Sequence, residues 1–123
     1  MILKKSEGVI DKRDSFFPNM IKLDNGILIA GYAVGERPEI PSGTDWSWSD
    51  NEGRDWNYGG TILSPDPEAG ATNILHLSRT VDERILAYGA RSYIQPGQRF
   101  GQKKMNLYYA ILMTNAGLGQ SLR

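Results

Sequence analysis

The chain has 123 residues, which suits one small domain, and its 14 basic residues balance its 14 acidic residues. This balance argues against nucleic acid and anionic membranes as partners. The chain has no cysteine, which excludes disulfides and thiolate chemistry, and neither a signal peptide nor a membrane span is expected from its apolar runs, so the localisation stays open.

The first half of the chain predicts four antiparallel strands. Asp24, Asn25 and Gly26 separate the apolar runs 17–23 and 27–34, and an Asx-Gly corner in that setting indicates a hairpin turn with positive φ at both turn positions. Residues 44–49 read TDWSWS, an alternation typical of a half-buried strand. A fourth strand is expected at 56–63.

The second half repeats the first at an offset of 54 residues, since Asn73-Ile74-Leu75 echoes Asn19-Met20-Ile21. No stretch of a dozen residues holds a helical apolar stripe free of Gly or Pro. A four-strand unit repeated at this spacing is typical of propeller blades. We therefore expect an all-β fold, with further strands near 73–78, 85–90 and 105–112.

The stretch Ser49-x-Asn51-x-Gly53-x-x-Trp56 predicts a specific turn between the third and fourth strands. A short polar side chain at position 51 hydrogen-bonds the turn's own backbone, Gly53 supplies positive φ, and Trp56 packs between strands. These residues resemble the Asp-box of sialidase-like β-propellers, whose pattern is Ser/Thr-x-Asp-x-Gly-x-Thr-Trp. The family's Asp is Asn51 here, and its Thr is Asp55.

The resemblance covers residues 15–63 well and 72–117 more loosely. It implies two four-stranded antiparallel blades in a single partial propeller domain. Blade one is expected at about 15–63, and blade two at about 72–120 without its last strand.

The resemblance also implies where a site would lie. In sialidases, arginines clamp the substrate carboxylate and a loop Asp acts as general acid/base, at the end of the blades away from the Asp-box. By position, Arg37 and Arg91 are candidate substrate-binding residues and Asp45 is the candidate acid/base. A salt bridge or a solvated loop is the alternative role for both arginines. Phe16 stands where the family has its first clamp arginine. Other polar residues of the same loops are Glu36, Glu39, Asp66, Glu68, Tyr93 and Arg99.

No cofactor or metal is expected, because the carboxylates at positions 66 and 68 are too sparse for a metal site. His76 lies at a polar alternate of its strand and is expected to be exposed or structural.

Sequence therefore predicts a fragment of a sialidase-like, glycan-acting protein of the exo-glycosidase type. It is expected to be inactive alone, since the first clamp arginine and the region that holds the nucleophile are missing. A non-catalytic propeller module that binds glycan or protein, or a truncated reading frame without a role of its own, are the alternatives. A glycan is the expected ligand, and self-association through exposed strand edges is also expected.

Overall fold

The computed structural model describes residues 5–35, 43–65, 71–80, 84–93 and 105–113. Within these ranges the chain forms seven strands and no helix, so no helix there is long and apolar enough to cross a membrane. The strands are β1 (Ser15–Lys22), β2 (Leu28–Val34), β3 (Gly43–Ser49), β4 (Asn57–Leu63), β5 (Ala71–Arg79), β6 (Ile85–Tyr93) and β7 (Met105–Met113).

The strands form two antiparallel sheets, one with the order β1-β2-β3-β4 and one with the order β5-β6-β7. Within each sheet, every strand pairs with its neighbour in the sequence. The all-β, antiparallel prediction is confirmed, and every strand end lies within three residues of its expected position.

The turn between β1 and β2 differs in type from the predicted one. Gly26 N–H donates to the Leu23 carbonyl at 2.9 Å, and Leu23 N–H donates to the Ile27 carbonyl at 2.9 Å. Only Gly26, with φ +91°, has positive φ in this turn. Asn25 instead accepts from Ile27 N–H at 3.1 Å through its side chain. The hairpin therefore has a three-residue turn closed by a left-handed glycine, and a second positive φ is not needed.

The two sheets pack face to face through β5, which lies against β1, β2 and β3. The Leu75 N–H of β5 donates to the Thr44 hydroxyl oxygen of β3 at 3.1 Å. Apolar side chains from both sheets fill the space between them, and this burial is the main favourable term for the fold. The buried members of this core are Ile27, Ile29, Trp46, Leu75, Leu77, Ile85 and Ala87.

Strand β3 is buried on both faces, whereas its alternation predicts a half-buried strand. Thr44 and Trp46 face the second sheet, and the alternate residues Asp45, Ser47 and Ser49 are buried as well. The reason is that residues 5–14, the N-terminal segment, cross the second face of the sheet. The polar and aromatic residues of β3 do alternate between the two faces, but the N-terminal segment covers the polar face.

The N-terminal segment is attached along its length to the first sheet. The Ser6 hydroxyl donates to the Glu52 carbonyl near its start, and Gly35 N–H donates to the Asp14 carbonyl at 3.1 Å near its end. Gly8 passes so close to the carbonyls of Gly53 and Arg54 that a side chain there would collide with them. The segment thus places its own charged residues, Asp11 and Arg13, over β3.

Candidate functional site

A cluster of polar side chains joins the N-terminal segment to the first sheet, and we call it the Arg13 cluster. Its members are Asp11, Arg13, Tyr32, Asp45, Ser47 and Tyr58. Arg13 forms a fork with Asp11 through Nε and Nη2, and Nη2 also donates to Asp45 Oδ2 at 2.8 Å. The Tyr58 hydroxyl donates to the same Asp45 oxygen at 2.9 Å.

Tyr32 ties the two halves of the Arg13 cluster together. Its hydroxyl donates to Asp11 Oδ2 at 3.0 Å and lies 2.7 Å from the Ser47 hydroxyl. Tyr32 pairs with Asp45 across β2 and β3, and Ser47 pairs with Tyr58 across β3 and β4. The register of the sheet therefore places these side chains on one face, since residues two apart on a strand share a face.

Asp11 and Arg13 hold each other in their ionised forms. Hydrogen bonds from the Arg13 side chain lower the pKa of Asp11 to about 2, against the opposing effect of its burial. The two carboxylates raise the pKa of Arg13 above its already high value. Burial raises the pKa of Tyr32 to about 12. One guanidinium between two carboxylates leaves a formal charge of −1.

Asp45, the predicted acid/base, is 5% exposed and accepts from both Arg13 and Tyr58. A general acid must reach the proton acceptor of its substrate within hydrogen-bond distance. In this arrangement the carboxylate instead anchors the N-terminal segment to β3. Its chemistry is that of a charge-assisted hydrogen-bond acceptor inside the protein.

An open cleft of about 360 Å³ borders the Arg13 cluster. Trp56 and Tyr58 line one side, and Ile10, Asp11 and Arg13 line the other. Tyr58 is 57% exposed because β4 is an edge strand of the sheet. The Arg13 guanidinium carbon lies 5.2 Å from the centre of the Tyr58 ring, within the range of a cation–π contact.

The turn that follows β3 has the hydrogen bonds expected of its residues. Gly53 N–H and Asn51 N–H donate to the Ser49 hydroxyl oxygen at 2.9 and 3.3 Å, and Asp55 N–H donates to Asn51 Oδ1 at 2.9 Å. Gly53 has φ +86°. The expected self-bonding side chain at position 51 and the positive φ at position 53 are confirmed.

Trp56 closes this turn from its far end. Its indole Nε1–H donates to the Gly53 carbonyl at 2.8 Å. The side chain is half-buried and lies outside the core between the sheets, where Trp46 is 4% exposed. Trp56 therefore fixes the turn and also borders the cleft, while Trp46 is the core indole.

Of the three predicted site residues the structure describes Asp45 and Arg91, and it places them apart. The guanidinium of Arg91, on β6, donates to the Ser64 carbonyl just beyond β4. Asp45 lies on the face of the first sheet that turns away from β6 and the rest of the second sheet. Arg37 is outside the described residues, as are Glu36, Glu39, Asp66, Glu68 and Arg99.

Sequence reasoning missed Asp11, Arg13, Tyr32 and Tyr58. Two signals were available in the sequence. One was the charge run DKRD at 11–14, immediately before the first strand, and the other was the set of hydroxyl and carboxylate side chains that alternate along β3.

His76 is exposed, as expected, with its ring 6.3 Å from that of Tyr88. In the described parts of the chain, no three His, Asp or Glu side chains lie close enough to hold a metal ion.

No family model, no curated protein and no solved structure matches this chain.

Proposed function

We propose that the two sheets are consecutive blades of a sialidase-like β-propeller, and that the chain is a glycan-acting protein of the exo-glycosidase type that does not hydrolyse glycans alone. The observation that carries this proposal is the turn at residues 49–56. Ser49, Asn51 and Gly53 make the turn hydrogen bonds and the positive φ expected of these residues, and the Trp56 indole donates to the Gly53 carbonyl.

The sheet topology supports the same assignment. Four strands connected in sequence order form one sheet, and a second sheet begins with the equivalent first hairpin. The second sheet packs its first strand against the face of the first, as stacked repeats do to bury a continuous core.

We expect no hydrolysis because of the residues at two positions, 45 and 16. Asp45 is buried and held by Arg13 and Tyr58, so its carboxylate has no open path to a glycosidic oxygen. Phe16, where the resemblance places an arginine, lies in β1 with its ring 5.2 Å from that of Phe17. An aromatic ring has no donor to offer a carboxylate, so this half of a carboxylate clamp is missing.

The test combines turnover with binding. The full chain is incubated with a fluorogenic sialoside, with Asp45→Asn as the matched variant, and its binding to a panel of glycans is measured by ligand-observed NMR. We expect equal background rates for both proteins, and weak glycan binding in the range of about 1 mM. Turnover that disappears in Asp45→Asn would show a working hydrolase, and a panel without any bound glycan would rule out a glycan-acting role.

The end of the blades away from the Asp-box, with the candidates Arg37 and Arg91, is called the loop face and is tested separately with acidic glycans. We expect Arg37→Ala and Arg91→Ala to weaken binding of a sialoside, because a guanidinium fork is the natural partner of a carboxylate. Arg84→Ala, at the opposite end of β6 from Arg91, is the control. Sialoside binding that survives the loss of both arginines would remove the loop face from the proposal.

A further inference from the structure

We propose that the cleft between β4 and the N-terminal segment binds one or two rings of an uncharged sugar. This inference rests on the proposed glycan-acting function, and it adds a second site and a sugar class. The site is formed by Trp56 and Tyr58 on one side and by Ile10, Asp11 and Arg13 on the other.

The aromatic side of the cleft matches the apolar face of a pyranose. Trp56 and Tyr58 line the same side of the cleft. They are two residues apart, which in an extended chain separates their Cα atoms by roughly 7 Å. A pyranose presents a patch of C–H groups that loses water when it lies on an aromatic face. Tyr58 is 57% exposed, so part of its side chain is open to such a ligand beside its contact with Arg13.

The polar side of the cleft matches sugar hydroxyls. A hydroxyl both donates and accepts, so a pair of neighbouring hydroxyls is best served by a donor beside an acceptor. Arg13 supplies the donor in a fixed geometry, because its fork with Asp11 holds the guanidinium in place. The Tyr58 hydroxyl donates to Asp45, so its oxygen is left to accept. Arg13 uses Nε and Nη2 for its bonds to the described carboxylates, and no described residue accepts from Nη1.

The charge of the site selects against acidic sugars. Two carboxylates, Asp11 and Asp45, surround the single guanidinium of Arg13. An incoming carboxylate would meet a formal charge of −1 and would have to compete with both for the same guanidinium. An uncharged, hydroxyl-rich ligand meets neither that charge nor that competition.

The size of the cleft limits the length of the ligand. Its volume of about 360 Å³ lies near the lower end of the roughly 300–1,000 Å³ of small-molecule sites. It therefore suits one or two rings rather than a long oligosaccharide.

The experiment measures binding of methyl glycosides to the full chain by ligand-observed NMR and calorimetry. The probes are methyl glycosides of glucose, galactose, mannose and N-acetylglucosamine, with a methyl sialoside as the acidic arm. The variants are Tyr58→Ala, Tyr58→Phe and Arg13→Lys. Tyr88→Ala is the matched control, because Tyr88 is a 46% exposed tyrosine on a strand of the other sheet.

We expect at least one uncharged glycoside to bind more tightly than the sialoside. Its affinity should fall by about tenfold or more in Tyr58→Ala and stay within about threefold in Tyr58→Phe, which keeps the ring. Arg13→Lys should weaken binding, since lysine lacks the fork. Tyr88→Ala should bind like the parent chain. Thermal unfolding of each variant shows whether a loss of binding reflects a loss of fold.

Three results would overturn the inference, and they differ in what they say of the proposed function. Uncharged sugars that bind equally to Tyr58→Ala and the parent chain place the site elsewhere and leave the glycan-acting function standing. Sialoside binding that depends on Arg91 and exceeds that of every uncharged probe supports the loop face and rejects this cleft. A chain that binds none of the probes and no glycan of the panel removes both the site and the function.

Discussion

Arg13 Nη2 donates to Asp45 Oδ2 over 2.8 Å and so joins the N-terminal segment to the third strand of the first sheet, 32 residues further along the chain. The Asp45 side chain is nearly buried, whereas the Arg13 side chain is 49% exposed. Removing the arginine would leave a carboxylate in the protein with only Tyr58 as a described hydrogen-bond partner. Because only Asp45 is buried, mutation of Arg13 and mutation of Asp45 should change the stability by different amounts.

We expect Arg13→Ala to lower the free energy of unfolding by about 1–3 kcal/mol, less than for a fully buried pair because solvent screens the guanidinium. Asp45→Asn should cost less than Arg13→Ala, since it removes the charge that needs a partner. Denaturant unfolding of both single variants and the double variant gives the coupling energy. Lys5→Ala is the control, because its 2.8 Å ion pair with Glu7 is exposed on both sides. Additive effects of the two single mutations would contradict a direct interaction.

A second prediction concerns pH. The pKa of Asp11 is lowered to about 2 in the folded chain, chiefly by its hydrogen bonds with Arg13. A lowered folded pKa stabilises the protein above the unfolded pKa of about 3.9, and this stabilisation is lost as the pH falls from about 4 towards 2. Thermal unfolding at pH 6 and pH 3 should therefore show a smaller loss of stability in Asp11→Asn than in the parent chain. Asp14→Asn is the control, and an equal pH dependence in Asp11→Asn and the parent would refute the assignment.

The sheets were predictable from sequence because their signals are local. The apolar runs on both sides of Asp24-Asn25-Gly26 and the alternation in TDWSWS each depend on residues a few positions apart. The turn formed by Ser49, Asn51, Gly53 and Trp56 was predictable for the same reason, since the side-chain hydrogen bonds that close it span four residues or fewer.

The Arg13 cluster was not predictable because it depends on contacts between distant residues. Asp11 and Tyr32 are 21 residues apart, and Arg13 and Asp45 are 32 apart. The N-terminal segment has no apolar periodicity that would place it on a sheet. The polar alternates of β3 were therefore expected to face water, whereas Asp11 and Arg13 cover that face and satisfy its hydrogen bonds.

The two indoles give a third prediction, because they differ in burial. Trp46→Ala should cost about 3–5 kcal/mol of stability, the usual penalty for emptying a buried aromatic site. Trp56 is half-buried and makes one hydrogen bond to the turn, so Trp56→Ala should cost about 1.5–3 kcal/mol. Trp56→Phe isolates the hydrogen bond, with an expected cost of about 1 kcal/mol. Equal losses for the two alanine variants in denaturant unfolding would be inconsistent with the different burial of the indoles.

The turn itself gives a fourth prediction. Gly53→Val should destabilise the chain, because a β-branched residue resists the φ of +86° at this position. Gly53→Asn should cost less, since asparagine tolerates the left-handed region. The added Cβ has room, with its nearest neighbours, side-chain atoms of Leu28 and Trp56, at 3.6 Å. The difference between the two variants therefore reports backbone strain, and equal melting temperatures for parent and Gly53→Val would contradict the turn geometry.

The last prediction concerns association through strand edges. The outer edge of β1 is interrupted by Pro18 and by the bulge at Phe17, whose φ is +53°. Strand β4 pairs with two register shifts, which also disturb its edge. Strand β7, in contrast, pairs with β6 over nine residues without a shift, and no described strand pairs with its other edge. A long regular edge is a template for pairing with another chain.

We therefore expect the chain to form oligomers at micromolar concentration through β7. Sedimentation velocity over a dilution series measures this directly. Leu112→Lys, at an exposed position of β7, should shift the equilibrium towards monomer, because a charge on an edge strand opposes pairing. Thr61→Lys adds the same charge at an exposed position of β4 and is the control. If Thr61→Lys dissociates the oligomer and Leu112→Lys does not, the contact lies on the first sheet. A sharply melting monomer at every concentration would show that the edges do not pair.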